Sequence, residues 1–313
     1  MAVTVSASRL STAAASPVSV LRLSLSGAGF LGIFHLGAGK ALQQAGVLDR
    51  PCQVAGASAG ALVGAVLTTG TPLVHARTAL GAIVEHTRAA PLGILTPGHS
   101  LVDEVRRHLT DHLPSDAHQR ASGRLFVALT SVRAGEIGSV YHKSTFASRD
   151  ELIDAVSASS DIPGVTGRVR ATPAAGAAMR DNAPLVERLL CRQDVDGGLY
   201  DLFPDPWHGA ERVAFVSPFA GVGFSVAPPS QPHSLTVPEW SPVQAARYGR
   251  AVELSPQNAR RWRDAFFPPP VDMLARYEAE GHAACVKWMA SWLDCEKRIR
   301  GSNDCHPQGG AST

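Results

Sequence analysis

The sequence predicts an α/β fold in three layers, a central, mostly parallel sheet flanked by helices. Two observations lead there. Short apolar runs of strand length alternate with longer runs of helical periodicity, the pattern of strands joined by crossover helices. The chain has 313 residues, 45% of them hydrophobic, enough to bury both faces of a sheet in one large domain or two small ones.

The first strand is expected over residues 20–24, where apolar and polar side chains alternate. It enters a glycine-rich turn, Ser26-Gly27-Ala28-Gly29-Phe30-Leu31-Gly32, followed by a helix over 33–45 that Gly46 is placed to end. Residues 53–57 read as the second strand, and a helix follows Ser58 as far as Gly70. Thr71-Pro72 reads as the N-cap and first position of a third helix reaching about Thr87. A helix over 100–112 carries Asp103 and Glu104 in its first turn, where the positive end of the dipole favours acids. Strands are expected over 124–131 and 137–141, a helix over 149–159 stopped before Pro163, and strands over 189–195 and 212–217. Residues 218–242, rich in Pro, Gly and Ser, read as a long surface connection. A long helix is expected over 272–300, led in by Phe266-Phe267-Pro268-Pro269-Pro270. Its Tyr277, Trp288 and Trp292 fall near helical spacing, a face to dock on the sheet or to touch lipid.

A formal net charge of +2, with no dense basic run or basic–aromatic ladder, argues against nucleic acid as a partner. The five cysteines form no C-x-x-C pair and no His/Cys cluster with zinc-ligand spacing, so no metal is expected. They read as reduced, buried thiols of an intracellular protein, or with one disulfide among Cys285, Cys295 and Cys305. No apolar run reaches the roughly 20 residues a membrane-spanning helix needs. Residues 1–20 are rich in Ser and Ala, carry Arg9, and precede the first acidic residue, Asp49. That composition suits an organelle transit peptide (plastid or mitochondrial) or a disordered tail.

Three motifs carry chemistry. Gly56-Ala57-Ser58-Ala59-Gly60 has the form of a nucleophile elbow, in which small residues let a strand turn sharply into a helix and leave the serine strained and exposed. The helix after it aims its positive end at any oxyanion formed there. Gly27 to Gly32 lies between a strand and a helix, where backbone N–H groups form an anion-binding nest. It is not a P-loop, because no Gly-Lys-Ser/Thr ending follows. Gly27, Gly29 and Gly32 do fit a dinucleotide fingerprint, whose ribose-binding acid could only be Asp49. The third motif, Asp196-Gly197-Gly198, follows an expected parallel strand, at the edge where open α/β sheets place their sites.

In this order, with Leu25-Ser26 before the first motif, Ile33-Phe34-His35-Leu36-Gly37 after it, and Phe266-Phe267-Pro268-Pro269-Pro270 leading to Gly281-His282, the chain resembles the patatin-like phospholipase family. The similarity is to its animal-type branch, that of adipose triglyceride lipase and adiponutrin, and covers roughly residues 21–293. The resemblance implies a patatin-like three-layer fold over 20–296, with residues 1–19 and 297–313 outside the domain. It implies a Ser–Asp dyad without a catalytic histidine: Ser58 as nucleophile and Asp196 as the base. Backbone N–H groups of Gly27, Ala28, Gly29 and Phe30 would line the oxyanion hole, with Gly32 closing that loop. Ala28 and Leu31 depart from the Gly-Gly-Gly and basic residue of many plant and bacterial members, which bears on substrate preference.

The implied reaction is cleavage of a fatty-acyl ester (triacylglycerol, phospholipid, galactolipid or retinyl ester) through an acyl-enzyme, without a cofactor. The expected setting is peripheral to a membrane or lipid droplet, and the resemblance names no protein partner. Three other readings stand beside it. The acceptor of the acyl group can be a lipid hydroxyl, making a transacylase. The G-x-S-x-G can belong to a Ser–Asp–His triad, for which His208, His233 and His282 follow Asp196 in the required order. Or the chain can be a lipid-surface regulator with a vestigial site. Residues 168–188, rich in Ala and Pro, read as a mobile loop or a lid.

Overall fold

The computed structural model describes residues 20–49, 52–97, 99–133, 136–162, 165–166, 192–208, 213–230, 235–238 and 250–302. Its main sheet has the order β4-β3-β2-β1-β6, with β5 also paired to β3. The strands are β1 (Leu21–Leu25), β2 (Cys52–Gly56), β3 (Leu125–Arg133), β4 (Glu136–Lys143), β5 (Arg192–Asp196) and β6 (Val213–Val216). β6, β1, β2 and the first half of β3 run parallel, while β4 and β5 are antiparallel to β3. Leu21, Leu23 and Leu25 are all buried, and so is Ser24, as befits a strand covered on both faces. Ser24 donates its hydroxyl to the Pro204 carbonyl at 2.7 Å, which removes the cost of burying it.

The covering helices are α1 (Gly32–Gln44), α2 (Ala59–Thr69), α3 (Leu73–Ala89), α4 (Leu101–His112), α5 (Ala117–Ala121), α6 (Arg149–Ala158), α7 (Pro256–Phe266) and α8 (Val271–Ser302). α2 lies directly against the sheet, since a Cβ on Gly64 would come within 2.9 Å of Leu125 Cδ1. α8 packs on α1 rather than on the sheet itself. Two glycines permit it: a Cβ on Gly37 would stand 2.0 Å from the Glu278 carbonyl oxygen, and one on Gly281 2.0 Å from that of Phe34. Tyr277 is buried at this contact and donates to Asp264 Oδ2 at 2.7 Å, while Trp288 and Trp292 stack on each other and pack half-buried against the core.

Several sequence expectations need correction. Pro72 is the N-cap of α3, not its first residue, because the Thr71 N–H closes the end of α2 on the Val66 carbonyl at 3.1 Å. β5 is antiparallel, not parallel. The stretch 218–242 is more than a surface connection: Phe219, Ala220 and Val226 are buried, and β7 (Gly221–Val222) and β8 (Leu235–Pro238) flank β9 (Ala251–Leu254) in a second antiparallel sheet. The Asn258 side chain holds this turn by accepting the Ala220 N–H and donating to the Ala220 carbonyl. β9, α5 and α7 were not foreseen. Cys52 and Cys285 are buried free thiols, which removes Cys285 from any disulfide. Residues 1–19, 168–188 and 303–313, with His233, lie outside the described residues. No helix among the described residues is long and apolar enough to cross a membrane.

Candidate active site

β2 ends at Gly56, and two residues later Ser58 adopts φ 52° and ψ −124°, in the region that favours glycine. Such a conformation costs about 1–3 kcal/mol and persists only where its surroundings hold it. Here the Ala57 N–H bonds to the Leu25 carbonyl at 3.3 Å, and the Ser58 carbonyl accepts from Ala61 and Leu62 at 2.9 and 3.1 Å. The Ser58 N–H is accepted by Ser159 Oγ at 3.0 Å, and that hydroxyl in turn donates to the Ala128 carbonyl at 2.8 Å. Gly60 is required for close approach, because a Cβ there would stand 2.2 Å from the Leu25 carbonyl oxygen; one on Gly56 would meet Gly60 at 2.4 Å. Ala57 and Ala59 are buried on either side of the serine.

Asp196 reaches Ser58 by a head-on meeting of strands. β2 pairs with the start of β3, its Gly56 opposite Val127, while β5 arrives from the other direction with Asp196 opposite Leu129. The C-terminal ends of β2 and β5 therefore face each other across two residues of β3, about 7 Å of strand. Asp196 is 3% exposed, and its carboxyl lies near enough to the Ser58 hydroxyl for that group to favour its charged form. Its Oδ1 also accepts the Gly198 N–H at 2.6 Å, and its own N–H donates to the Asp161 carbonyl at 3.0 Å. Burial pushes its pKa up to about 7, against the pull of the Gly198 N–H and the Ser58 hydroxyl and with a further push from Asp161. Gly197 fits only without a side chain, since a Cβ would lie 2.3 Å from the Ala128 carbonyl oxygen.

Above both groups lies the loop from Gly27. The N–H of Gly27 is not open to a ligand, because it bonds to the Leu202 carbonyl at 2.9 Å. Those of Leu31 and Gly32 are likewise given to Ala28 and Gly29. The first N–H groups of a helix have no partner within it, so the donors this loop can offer are those of Ala28, Gly29 and Phe30, at the head of the short 3-10 helix Gly29–Leu31. Gly29 takes φ +51°, and a Cβ there would lie 2.1 Å from the Ala265 carbonyl oxygen, so α7 clamps the loop from outside.

Two residues without a sequence-assigned role support the site: Ser159 and His35. The His35 side chain leans back toward the N-terminus of α1, the direction helical side chains take. Its Nε2 sits 2.9 Å from the Ser26 carbonyl, fully buried, and burial drives its pKa down to about 4. The neutral ring thus donates to the carbonyl just before the loop.

Gly27, Ala28, Gly29, Phe30, Gly32, Ser58, Ala59, Asp196 and Gly198 all border one apolar cavity of about 290 Å³. From Ser58 it follows one face of α2, past Ala59, Leu62, Val63 and Val66, toward Thr71, walled by Leu80 and Ile83 of α3 and Val105 and Leu109 of α4. The helix Ala59–Thr69 alongside it spans about 15 Å at helical rise. Asp49 does not line it, which leaves the dinucleotide fingerprint without its acid. His282 instead meets Gln44 at 2.8 Å, and exposed His208 sits in the turn after Asp205; neither borders the cavity.

Comparison with known proteins places these residues in a family context. The model of the patatin-like phospholipase family matches residues 23–204. Patatin-like phospholipase domain-containing protein 2 of Mus musculus is 31% identical over 269 residues, which cover 85% of this chain and 49% of that protein. The 1-acylglycerol-3-phosphate O-acyltransferase PNPLA3 of Homo sapiens is 34% identical over 171 residues, 53% of this chain and 35% of that one. Omega-hydroxyceramide transacylase of Mus musculus is 28% identical over 288 residues, 88% of this chain and 43% of that one. The chain spans about half the length of these three relatives, or less.

Proposed function

This chain belongs to the patatin-like phospholipase family, and from that premise we propose that it is a serine lipid acyl hydrolase acting on fatty-acyl esters of glycerolipids, triacylglycerol or phospholipid. The domain is assigned to residues 20–296. The observation that carries the reading is the pairing of a strained Ser58 with a buried Asp196 at the end of an apolar cavity long enough for an acyl chain.

In the proposed reaction Ser58 Oγ attacks the ester carbonyl as its proton passes to the Asp196 carboxylate. The charge on the carbonyl oxygen is met by the N–H groups of Ala28, Gly29 and Phe30, donors fixed in place before charge develops. Collapse breaks the ester C–O bond, and Asp196 returns the proton to the leaving alkoxide. Water then attacks the acyl-enzyme, losing a proton to Asp196, which passes it back to Ser58 as the fatty acid departs. A carboxyl whose pKa is pushed up to about 7 suits both directions of that transfer. Ser58→Ala should reduce release of fatty acid from emulsified triacylglycerol or phospholipid vesicles to background; retained turnover contradicts the assignment.

A second reading has support in the names of two relatives, an O-acyltransferase and a transacylase. Replacing water by a lipid hydroxyl in the second half gives the same acyl-enzyme and a transacylated product. Adding a monoacylglycerol acceptor and scoring exchanged acyl products separates the two outcomes. The site is assigned to a lipid surface, a membrane or droplet, because Phe266 borders the cavity while 46% exposed, and its neighbour Phe267 is 58% exposed.

A further inference from the structure

The turn that joins α3 to α4 brings together three metal-ligating side chains that the reaction above does not use. Glu104, in the first turn of α4, is buried, with a side chain only 7% exposed. Its Oε1 stands 2.6 Å from Nδ1 of His86, on the last turn of α3, and 3.4 Å from Nδ1 of His99, which precedes the α4 cap. The two rings meet edge to face, with centroids 5.0 Å apart, and all three donor atoms lie within 4.8 Å of one another. Among the described residues, the nitrogen atoms closest to Glu104 Oε1 are those of these two imidazoles.

The surroundings of His99 favour ligation. Its side chain is 5% exposed, and its far nitrogen, Nε2, lies 3.3 Å from Oγ1 of buried Thr87. With a cation between Nδ1 and Glu104, the threonine hydroxyl is placed to accept from Nε2–H and so hold the tautomer whose Nδ1 lone pair faces the ion. An outer hydrogen bond of this kind is what orients a metal-bound histidine. A cleft beside the cluster, lined also by Asp103, Arg107 and Thr96, gives access from solvent.

The geometry points to a divalent transition-metal site at His86, His99 and Glu104, of zinc class, with water completing the coordination. Two imidazole nitrogens and one carboxylate oxygen form a donor set that suits Zn²⁺ and not Mg²⁺ or Ca²⁺, which take oxygen ligands. A tetrahedral ion about 2.0–2.2 Å from each donor sets the donors about 3.4 Å apart, so binding parts Glu104 from His86 by under an ångström and gathers the more widely spaced atoms of the cluster. The site is structural. None of its residues borders the cavity that holds Ser58, but α3 and α4 supply one cavity wall through Leu80, Ile83, Val105 and Leu109. The ion joins the end of one helix to the start of the next and so fastens that wall at its hinge.

The test is equilibrium dialysis of the untagged full chain, stripped with a chelator, against zinc chloride and separately magnesium chloride, with metal counted by elemental analysis and thermal unfolding followed in parallel. One zinc per chain is expected, at micromolar dissociation constant or tighter, with a melting temperature raised by a few degrees and no stoichiometric magnesium. His86 carries an exposed side chain (64%), so His86→Ala tests ligation without opening the core; it and Glu104→Gln should each weaken zinc binding at least about tenfold. Absence of saturable zinc binding overturns the proposal. So does zinc binding that His86→Ala leaves unchanged, which would place the ion elsewhere, as on the cavity-rim histidines His75, His108 and His112.

Discussion

Asp196 and Ser159 do different things for the same serine. Asp196 sits beside its hydroxyl, while Ser159 holds its backbone. Because burial lifts the Asp196 pKa to about 7, the carboxylate form needed to accept the proton grows in as pH rises. Esterase kcat/KM should therefore climb roughly tenfold per pH unit below about 7 and level off above it; a profile flat from pH 5 to 8 contradicts this. Ser159→Ala removes the acceptor of the Ser58 N–H and leaves a part-buried donor without its partner, at a cost of about 1 kcal/mol. Its kcat should fall by about tenfold or more with KM less affected, and Ser159→Thr should restore part of the loss. Ser159 was not foreseen because it lies 101 residues from Ser58 in the chain and only the fold brings them together. The Gly56–Gly60 elbow, by contrast, was legible, because a positive φ between small residues leaves a local mark.

At the scale of elements, α7 and α8 matter through contacts with no room for a side chain. Gly37→Val should cost about 3 kcal/mol or more, because its new atoms meet backbone of α8 rather than a side chain that can turn aside; chemical denaturation reads this directly. Leucine at Phe267 should leave binding to phospholipid vesicles intact, and serine there should weaken it several-fold, if that exposed ring enters lipid. Vesicle sedimentation decides it. The helices of the main layer were readable from period and caps. α7 was missed although Ser255-Pro256 is the same start signal read at Thr71-Pro72, and there the signal misled by one residue. Strand direction was the larger miss. Nothing in the residues before Asp196 distinguishes parallel from antiparallel pairing, since that is set by which half of β3 remains free after β2 has paired.

For the molecule as a whole, two buried groups pull stability in opposite directions with pH. His35 falls from 6.5 in the unfolded chain to about 4, so its contribution is present above pH 6.5 and is lost as pH drops toward 4. Asp196 rises from 3.8 to about 7, so its contribution is present below pH 3.8 and is lost as pH climbs toward 7. Over most of the window between 4 and 6.5 the two slopes cancel, each near 1.4 kcal/mol per pH unit. Asp196→Asn removes one of them. The variant should be more stable than wild type at pH 7, by on the order of 3 kcal/mol, and should lose stability on acidification where wild type changes little. Denaturant midpoints at pH 4.5 and 7 measure both, and parallel behaviour of the two proteins refutes the linkage. A site that is less stable when charged is what a buried base entails.

Intact-protein and peptide mass spectrometry after reaction with a fluorophosphonate decides whether Ser58 is the nucleophile and Asp196 its base. One adduct per chain is expected, on Ser58, formed much more slowly in Asp196→Asn and absent in Ser58→Ala. An adduct on another residue, or labelling of Asp196→Asn at the wild-type rate, contradicts it.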